Sequence, residues 1–149
     1  MKKPTIVKHS HLDERTVQFG MLCLWVCEQL AEGYAGRNVA NQLFRAATSV
    51  AANYAEACEP ESDADFIHKF KIALKELKES RVWLRFASEL LCDPFIDEIL
   101  VETHEIANMI GASMKKTGIY EVVFPLTLPA EHYPQPLRCF RSLVFHLPV

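Results

Sequence analysis

The sequence predicts an all-α protein, an antiparallel up-down-up-down four-helix bundle followed by a Pro-rich, largely irregular tail. Three observations carry that prediction. Apolar residues recur at alternating spacings of three and four along four long segments, the period of one helix face. The breaks between segments span only a few residues, and short links force successive helices to lie antiparallel. Beyond residue 118, Pro125, Pro129, Pro134, Pro136 and Pro148 exclude a long helix.

The first helix is expected from about Leu12 to Glu32. Leu12, Thr16, Phe19, Cys23, Val26 and Leu30 form its core row, and Gly33 ends it. Met21, Leu22, Leu24, Trp25 and Val26 encircle this helix with more apolar surface than one bundle seam uses, which predicts subunit contacts. After a Gly33–Gly36 connection, the second helix is expected over 37–58. It has two candidate rows, Leu43, Ala46, Val50, Asn53, Ala57 and Ala40, Phe44, Ala47, Ala51, Tyr54, Cys58, whose small residues permit close helix approach. The third helix has Ser62 as N-cap and Asp65 three residues later, a capping box with a shorter acid. From there Phe66, Phe70, Ala73, Leu77, Ser80, Leu84, Ala87 and Leu91 hold the alternation over three heptads. Asp93-Pro94 opens the fourth helix as N-cap and first helical residue, and Ile96, Leu100, Thr103, Ala107, Ile110 and Met114 carry it to about Lys116.

Residues 1–117 are therefore expected to form one bundle domain and residues 118–149 an extended or partly disordered tail, with Val122–Phe124 or Leu143–Phe145 as a docked apolar stretch. Half of the 149 residues are hydrophobic and 23% are charged, which excludes an intrinsically disordered chain. A net charge of −3 gives no global basic field. The longest apolar run, Phe19 to Cys27, is shorter than the roughly 20 residues that span a bilayer. The N-terminus has no apolar stretch after its lysines, so no secretory signal is expected. Five cysteines without a CxxC pair read as free thiols in a reducing compartment, and a cytoplasmic location is expected.

One row of the third helix, Ile72, Glu76, Glu79, Trp83 and Phe86, sets two carboxylates among apolar residues. Facing it, an antiparallel second helix brings Arg45 to the height of Glu76 and Glu79, with Ser49, Asn53 and Glu56 along the same polar row. A partly buried charge needs a partner. The expectation is an interhelical network, Arg45 to Glu76 or Glu79 with Ser49 and Asn53 completing it, that sets register more than stability. A subunit contact is the other reading of these residues. A catalytic role would need a cavity that a continuous heptad seam does not offer. Metal ligation would need Glu-x-x-His motifs on facing helices, and Glu102, His104 and Glu105 lack that spacing. No phosphate-binding loop, nucleophile–base pairing, cofactor motif or small-molecule site is apparent.

Another side of the third helix lines up Lys71, Lys75, Lys78 and Arg85, flanked by Lys69 and Arg81. Six basic residues between Lys69 and Arg85 oppose two acidic ones. Such a row is either a solvated face screened by salt or a strip for phosphate backbones, and no interleaved aromatics point to base stacking.

The run from Arg45 to Arg85 resembles a family of small bacterial four-helix-bundle proteins encoded in intervening sequences of large-subunit ribosomal RNA genes. The resemblance rests on ATSV, AN and EA within 47–57, DFIHK at 65–69, IALKE at 72–76 and the Glu79, Trp83, Leu84, Arg85 cluster. It covers about residues 12–117. Accessory variability determinant proteins of diversity-generating retroelements share the fold group. Ala51 stands where members often carry glycine, Ala55 where a larger polar residue is common, and the tail falls outside the pattern. The resemblance implies a non-enzymatic bundle assembled as a ring, a pentamer. For the retroelement relatives it implies a basic surface that binds nucleic acid beside a reverse transcriptase. By residue match, Arg45, Asn53, Glu56, Glu76, Glu79 and Trp83 would shape the bundle or its subunit interface.

Overall fold

A computed structural model describes residues 2–9, 11–30 and 33–116. The expected tail and its docked stretch lie outside these residues. Among the described residues the chain forms four helices: α1 (Leu12–Gln29), α2 (Gly33–Cys58), α3 (Asp63–Leu91) and α4 (Phe95–Lys116). Each packs on the next and α4 packs on α1, while the diagonal pair α1 and α3 barely touch. This is the expected all-α up-down-up-down bundle.

The four apolar rows converge on one core, which also takes in Ile99 and Ile106 and, contrary to the expectation of a subunit contact, Leu22, Trp25 and Val26 of the α1 belt. Phe19, Leu22 and Val26 of α1, Leu43 and Val50 of α2, Leu77 and Leu84 of α3, and Ile96, Ile99, Ile106, Ile110 and Met114 of α4 are fully buried. Each large aliphatic or aromatic side chain so placed contributes about 1.5–3 kcal/mol relative to exposure. Of the two α2 rows only the first faces the core throughout most of its length; in the second, Ala47 is buried but Phe44 and Cys58 are exposed. The polar residues in the stripes bond within their own helices. Thr16 Oγ1 donates to Asp13 O (2.8 Å), Ser80 Oγ to Glu76 O (2.8 Å) and Thr103 Oγ1 to Ile99 O (2.9 Å).

The starts of α3 and α4 follow the sequence signals, except that α4 begins at Phe95 and Pro94 lies in the turn before it. Ser62 is extended (φ −163°, ψ 167°) and its hydroxyl accepts from Asp65 N at 3.2 Å. The Asp65 carboxylate reaches back to Glu61 N (3.3 Å), one residue before the N-cap. At the start of α4, the Asp93 carboxylate accepts from Phe95 N (2.9 Å). Cys92 closes α3 in a left-handed conformation (φ 54°) with its N–H on Ser88 O. The expectation of free thiols holds for Cys23, Cys27 and Cys58 but not for Cys92, which is disulfide-bonded.

The turn between α1 and α2 differs from expectation. α1 stops at Gln29, with Leu30 as C-cap donating to Val26 O and Cys27 O, and α2 already begins at Gly33. Gly33 takes φ +78°, where glycine is unstrained. Gly36 therefore lies inside the first turn of α2 rather than in a loop, and packing explains it: a Cβ there would meet Leu30 O at 2.2 Å. A Cβ at Gly20 would lie 3.8 Å from Ala47 O, an ordinary contact.

These two glycines predict opposite outcomes. Gly36→Ala drives a methyl into backbone and should destabilise the protein by about 1–3 kcal/mol in urea unfolding. Gly20→Ala should fold normally and gain up to about 1 kcal/mol of helix propensity.

Candidate functional site

The expected polar tie between α2 and α3 forms with one carboxylate of the two. Arg45 Nη2 bonds Glu79, and Glu79 Oε1 also accepts from Trp83 Nε1 at 3.3 Å. The Arg45 side chain remains 57% exposed, so this is a rim pair and not a buried network. Glu76 lies one turn earlier along α3, and its Oε2 is buried with no hydrogen-bond partner among the described residues. Asn53 Nδ2 donates to the Ser49 carbonyl (2.9 Å) within α2 and does not cross to α3. Glu56 crosses to α3 by a separate ion pair with Lys69.

That pair divides the basic residues of α3. Lys69 faces α2, and the Glu56 carboxylate holds its ammonium pKa above the ordinary value. Lys75, Lys78 and Arg85 are exposed and Lys71 and Arg81 half-exposed along the other flank, with exposed Val82 among them. Two apolar groups also face outward. One is Val17 and Met21 on α1 with Phe44 on α2; Gly20 approaches the Ala47 carbonyl between them, so they share one side of the α1–α2 pair. The other is Val82, Phe86 and Leu90, successive turns of α3, with the Phe86 ring 5.7 Å from that of half-buried Trp83. Met21 is 50% and Phe86 53% exposed, high values for residues of their size.

The strongest polar site was not anticipated. Arg15 of α1 makes a bidentate pair with Glu102 of α4, Nε to Oε1 at 2.8 Å and Nη2 to Oε2 at 2.6 Å. Arg15 Nη2 also donates to Glu105 Oε2 (2.8 Å) and Nη1 lies 3.1 Å from Met109 Sδ. Lys8 Nζ completes the cluster on Glu105 Oε1 at 2.7 Å. The side chains of Arg15 and Glu102 are only 8% and 2% exposed. Burial alone would lower the Arg15 pKa, but the Glu102 and Glu105 hydrogen bonds outweigh it and raise it. Lys8, then Arg15, hold the Glu105 carboxyl below its ordinary range. The signal for this pair was present in the sequence: Arg15 is three residues after Leu12 and four before Phe19, and Glu102 sits likewise between Ile99 and Ile106. Both are charged residues on apolar stripes.

The remaining chemistry-bearing groups are quiet. Burial pushes the Cys27 thiol up to about 11 and the Cys23 thiol well above its ordinary value, the reverse of an activated nucleophile. Among the described residues no three His, Cys, Asp or Glu side chains are grouped to hold a metal ion. No helix among them is long and apolar enough to cross a membrane.

Two substitutions separate the buried tie from the rim tie. Arg15→Ala leaves Glu102 charged and unpaired and should cost about 3–5 kcal/mol in chemical denaturation, whereas Arg45→Ala should cost less than about 1 kcal/mol. Glu105 and Asp93, the latter stabilised by the Phe95 N–H and Lys3, both have lowered pKa values. Their contributions are complete above the ordinary carboxylate values of 4.5 and 3.8 and are lost as pH falls through the lower folded-state values. Stability measured from pH 6 down to pH 2 should therefore decline below about pH 4.5, and less steeply in Glu105→Gln.

The family model described as 23S rRNA-intervening sequence protein matches residues 21–112. A solved structure from Bacteroides thetaiotaomicron, described as a protein with unknown function from the S23 ribosomal protein family, is 26% identical with a TM-score of 0.63. That match covers 70% of this chain and 99% of the other. No curated protein matches the chain at a significant level.

Proposed function

Because the chain belongs to the 23S rRNA-intervening sequence protein family, we propose that it is a non-enzymatic, homo-oligomeric bundle scaffold whose basic α3 row engages RNA or a nucleic-acid-processing partner such as a reverse transcriptase. The observation that carries the nucleic-acid part is the row itself. Lys71, Lys75, Lys78, Arg81 and Arg85 follow one flank of a single 29-residue helix, a linear array of positive charge of the kind that attracts phosphate backbones. Repeating the row around an assembly would multiply its field. The solved relative's placement in a ribosomal protein family keeps RNA the first partner to test.

Self-assembly is supported by the two outward apolar groups. They lie on different helices and differ in composition, Val17, Met21 and Phe44 against Val82, Phe86 and Leu90. A two-fold dimer buries the same patch on both partners, whereas two unlike patches suit a head-to-tail contact that closes into a ring. The pentamer implied by the family resemblance is such a ring. A second reading, a protein–protein module without nucleic-acid affinity, is favoured by Val82 interrupting the basic row and by the exposed aromatic Phe86 beside it.

Filter binding to a single-stranded RNA oligomer should show log K falling linearly with log salt, and the triple variant Lys71→Glu, Lys75→Glu, Lys78→Glu should lose binding while keeping its helical circular dichroism. Salt-independent binding, or none, removes the nucleic-acid role. Light scattering should give an oligomer for the native chain and a smaller species for either Met21→Glu or Phe86→Glu, since a head-to-tail contact needs both faces. A native monomer at micromolar concentration contradicts the scaffold. An intact oligomer that binds no RNA selects the protein–protein module.

A further inference from the structure

Residues 2–9 are not a loose leader: they lie along the seam between α1 and α4 and are held at both ends. Lys3 Nζ reaches Asp93 Oδ1 at 3.0 Å and Oδ2 at 3.2 Å. The same ammonium sits 4.7 Å from the Phe95 ring centroid and 5.4 Å from that of Trp25. Those rings meet edge-on at 86° with centroids 5.4 Å apart, and both residues are buried. Two aromatic faces and a carboxylate around one ammonium are the elements of a cation-recognition notch. Midway, Ile6 packs against the core and the Gln18 amide, turned to satisfy both groups, donates to Val7 O (2.6 Å) and accepts from Val7 N (2.8 Å). At the far end Lys8 binds Glu105, which Arg15 orients from the other side.

The spacing is that of an extended peptide beside a helix. Five residues from Lys3 to Lys8 span about 17 Å when extended, and ten residues of α4 from Phe95 to Glu105 rise about 15 Å. The receptor side comes wholly from the bundle: Trp25 and Gln18 of α1, Phe95 and Glu105 of α4, and Asp93 at the α3–α4 turn. The ligand side is one short segment whose two lysine side chains are at least half exposed. Exposed ion pairs are weak and salt-screened, so the packing of Ile6 and the Gln18–Val7 hydrogen bonds share the hold on the segment with the two lysines.

We propose that the α1–α4 groove is a recognition site for an extended, lysine-bearing peptide of the pattern Lys-x-x-apolar-x-Lys, filled in cis by the chain's own residues 3–8. A partner segment of that chemistry would compete with the arm for the Trp25, Phe95 and Asp93 notch and for Glu105. This site is separate from the α3 basic row and does not depend on RNA binding.

The test uses the full chain carrying Lys3→Glu and Lys8→Glu, which sets like charge against Asp93 and Glu105 and releases the arm. A fluorescein-labelled peptide of residues 1–9 is the probe, read by anisotropy. The variant should bind the peptide saturably, with affinity falling at least tenfold between 20 mM and 500 mM salt. The native chain at the same concentration should bind at least tenfold more weakly, because its own arm fills the groove. A peptide carrying the same two glutamates should not bind. Hydrogen exchange at the Val7 amide reports the arm: faster exchange in the variant is expected, and unchanged exchange overturns the proposal because the lysines then do not hold it. A released arm with no peptide binding, or equal binding of both peptides, overturns it as well.

Discussion

Arg15 and Glu102 join the first helix to the last, and the closure of the bundle depends on them. Neighbouring helices are tied by turns, but α1 and α4 are 87 residues apart at this contact and have only side chains to set their register. Apolar packing alone tolerates sliding, because one Leu or Ile fits a groove much as another does. A bidentate guanidinium–carboxylate pair does not, since both hydrogen bonds are lost with a small displacement. With both side chains withdrawn from water, any register that separates them leaves a charge without solvent or partner. The pair thus adds little to net stability while making the alternatives costly.

The cluster also organises what lies outside the core. Glu105 accepts from Arg15 on one oxygen and from Lys8 on the other, so the buried pair and the N-terminal arm share a carboxylate. The arm's other anchor, Asp93, is itself the cap of α4. Both ends of the arm are therefore set by residues that position α4, and the order of the arm follows from the order of that helix.

The α2–α3 seam works differently. Its ties, Arg45 to Glu79 and Lys69 to Glu56, are on the rim, and the close approach of the helices comes from small residues such as Ala46 and Ala73. The α3 surface also carries a basic flank and the exposed Val82, Phe86, Leu90 series with Trp83 at its edge. A bundle of this size can satisfy its core with one stripe per helix. The apolar groups beyond that stripe on α1 and α3 are what support reading the chain as an assembling scaffold.

Leu22, Ile67, Leu74, Ile99 and Ile106 are buried outside the rows read from sequence, and α1 is capped by Leu30 rather than ended by Gly33. What the sequence by itself determined is the helix count, the Ser62 and Asp93 caps and one core row on each helix. Those depend on local periodicity and on side chains that bond their own backbone, as Ser62 and Asp93 do, and neither needs a distant partner. Only tertiary structure decided which charges meet. Glu79 rather than Glu76 takes Arg45, because side-chain direction and reach across an interface select between residues at similar heights. Lys69 leaves the basic row for Glu56 for the same reason. Gly33 and Gly36 read alike as loop glycines, yet one supplies a positive φ and the other makes room for the Leu30 carbonyl. The Arg15–Glu102 tie is marked in the sequence only as two charges on apolar stripes, and their pairing across 87 residues exists only once α4 has folded back beside α1.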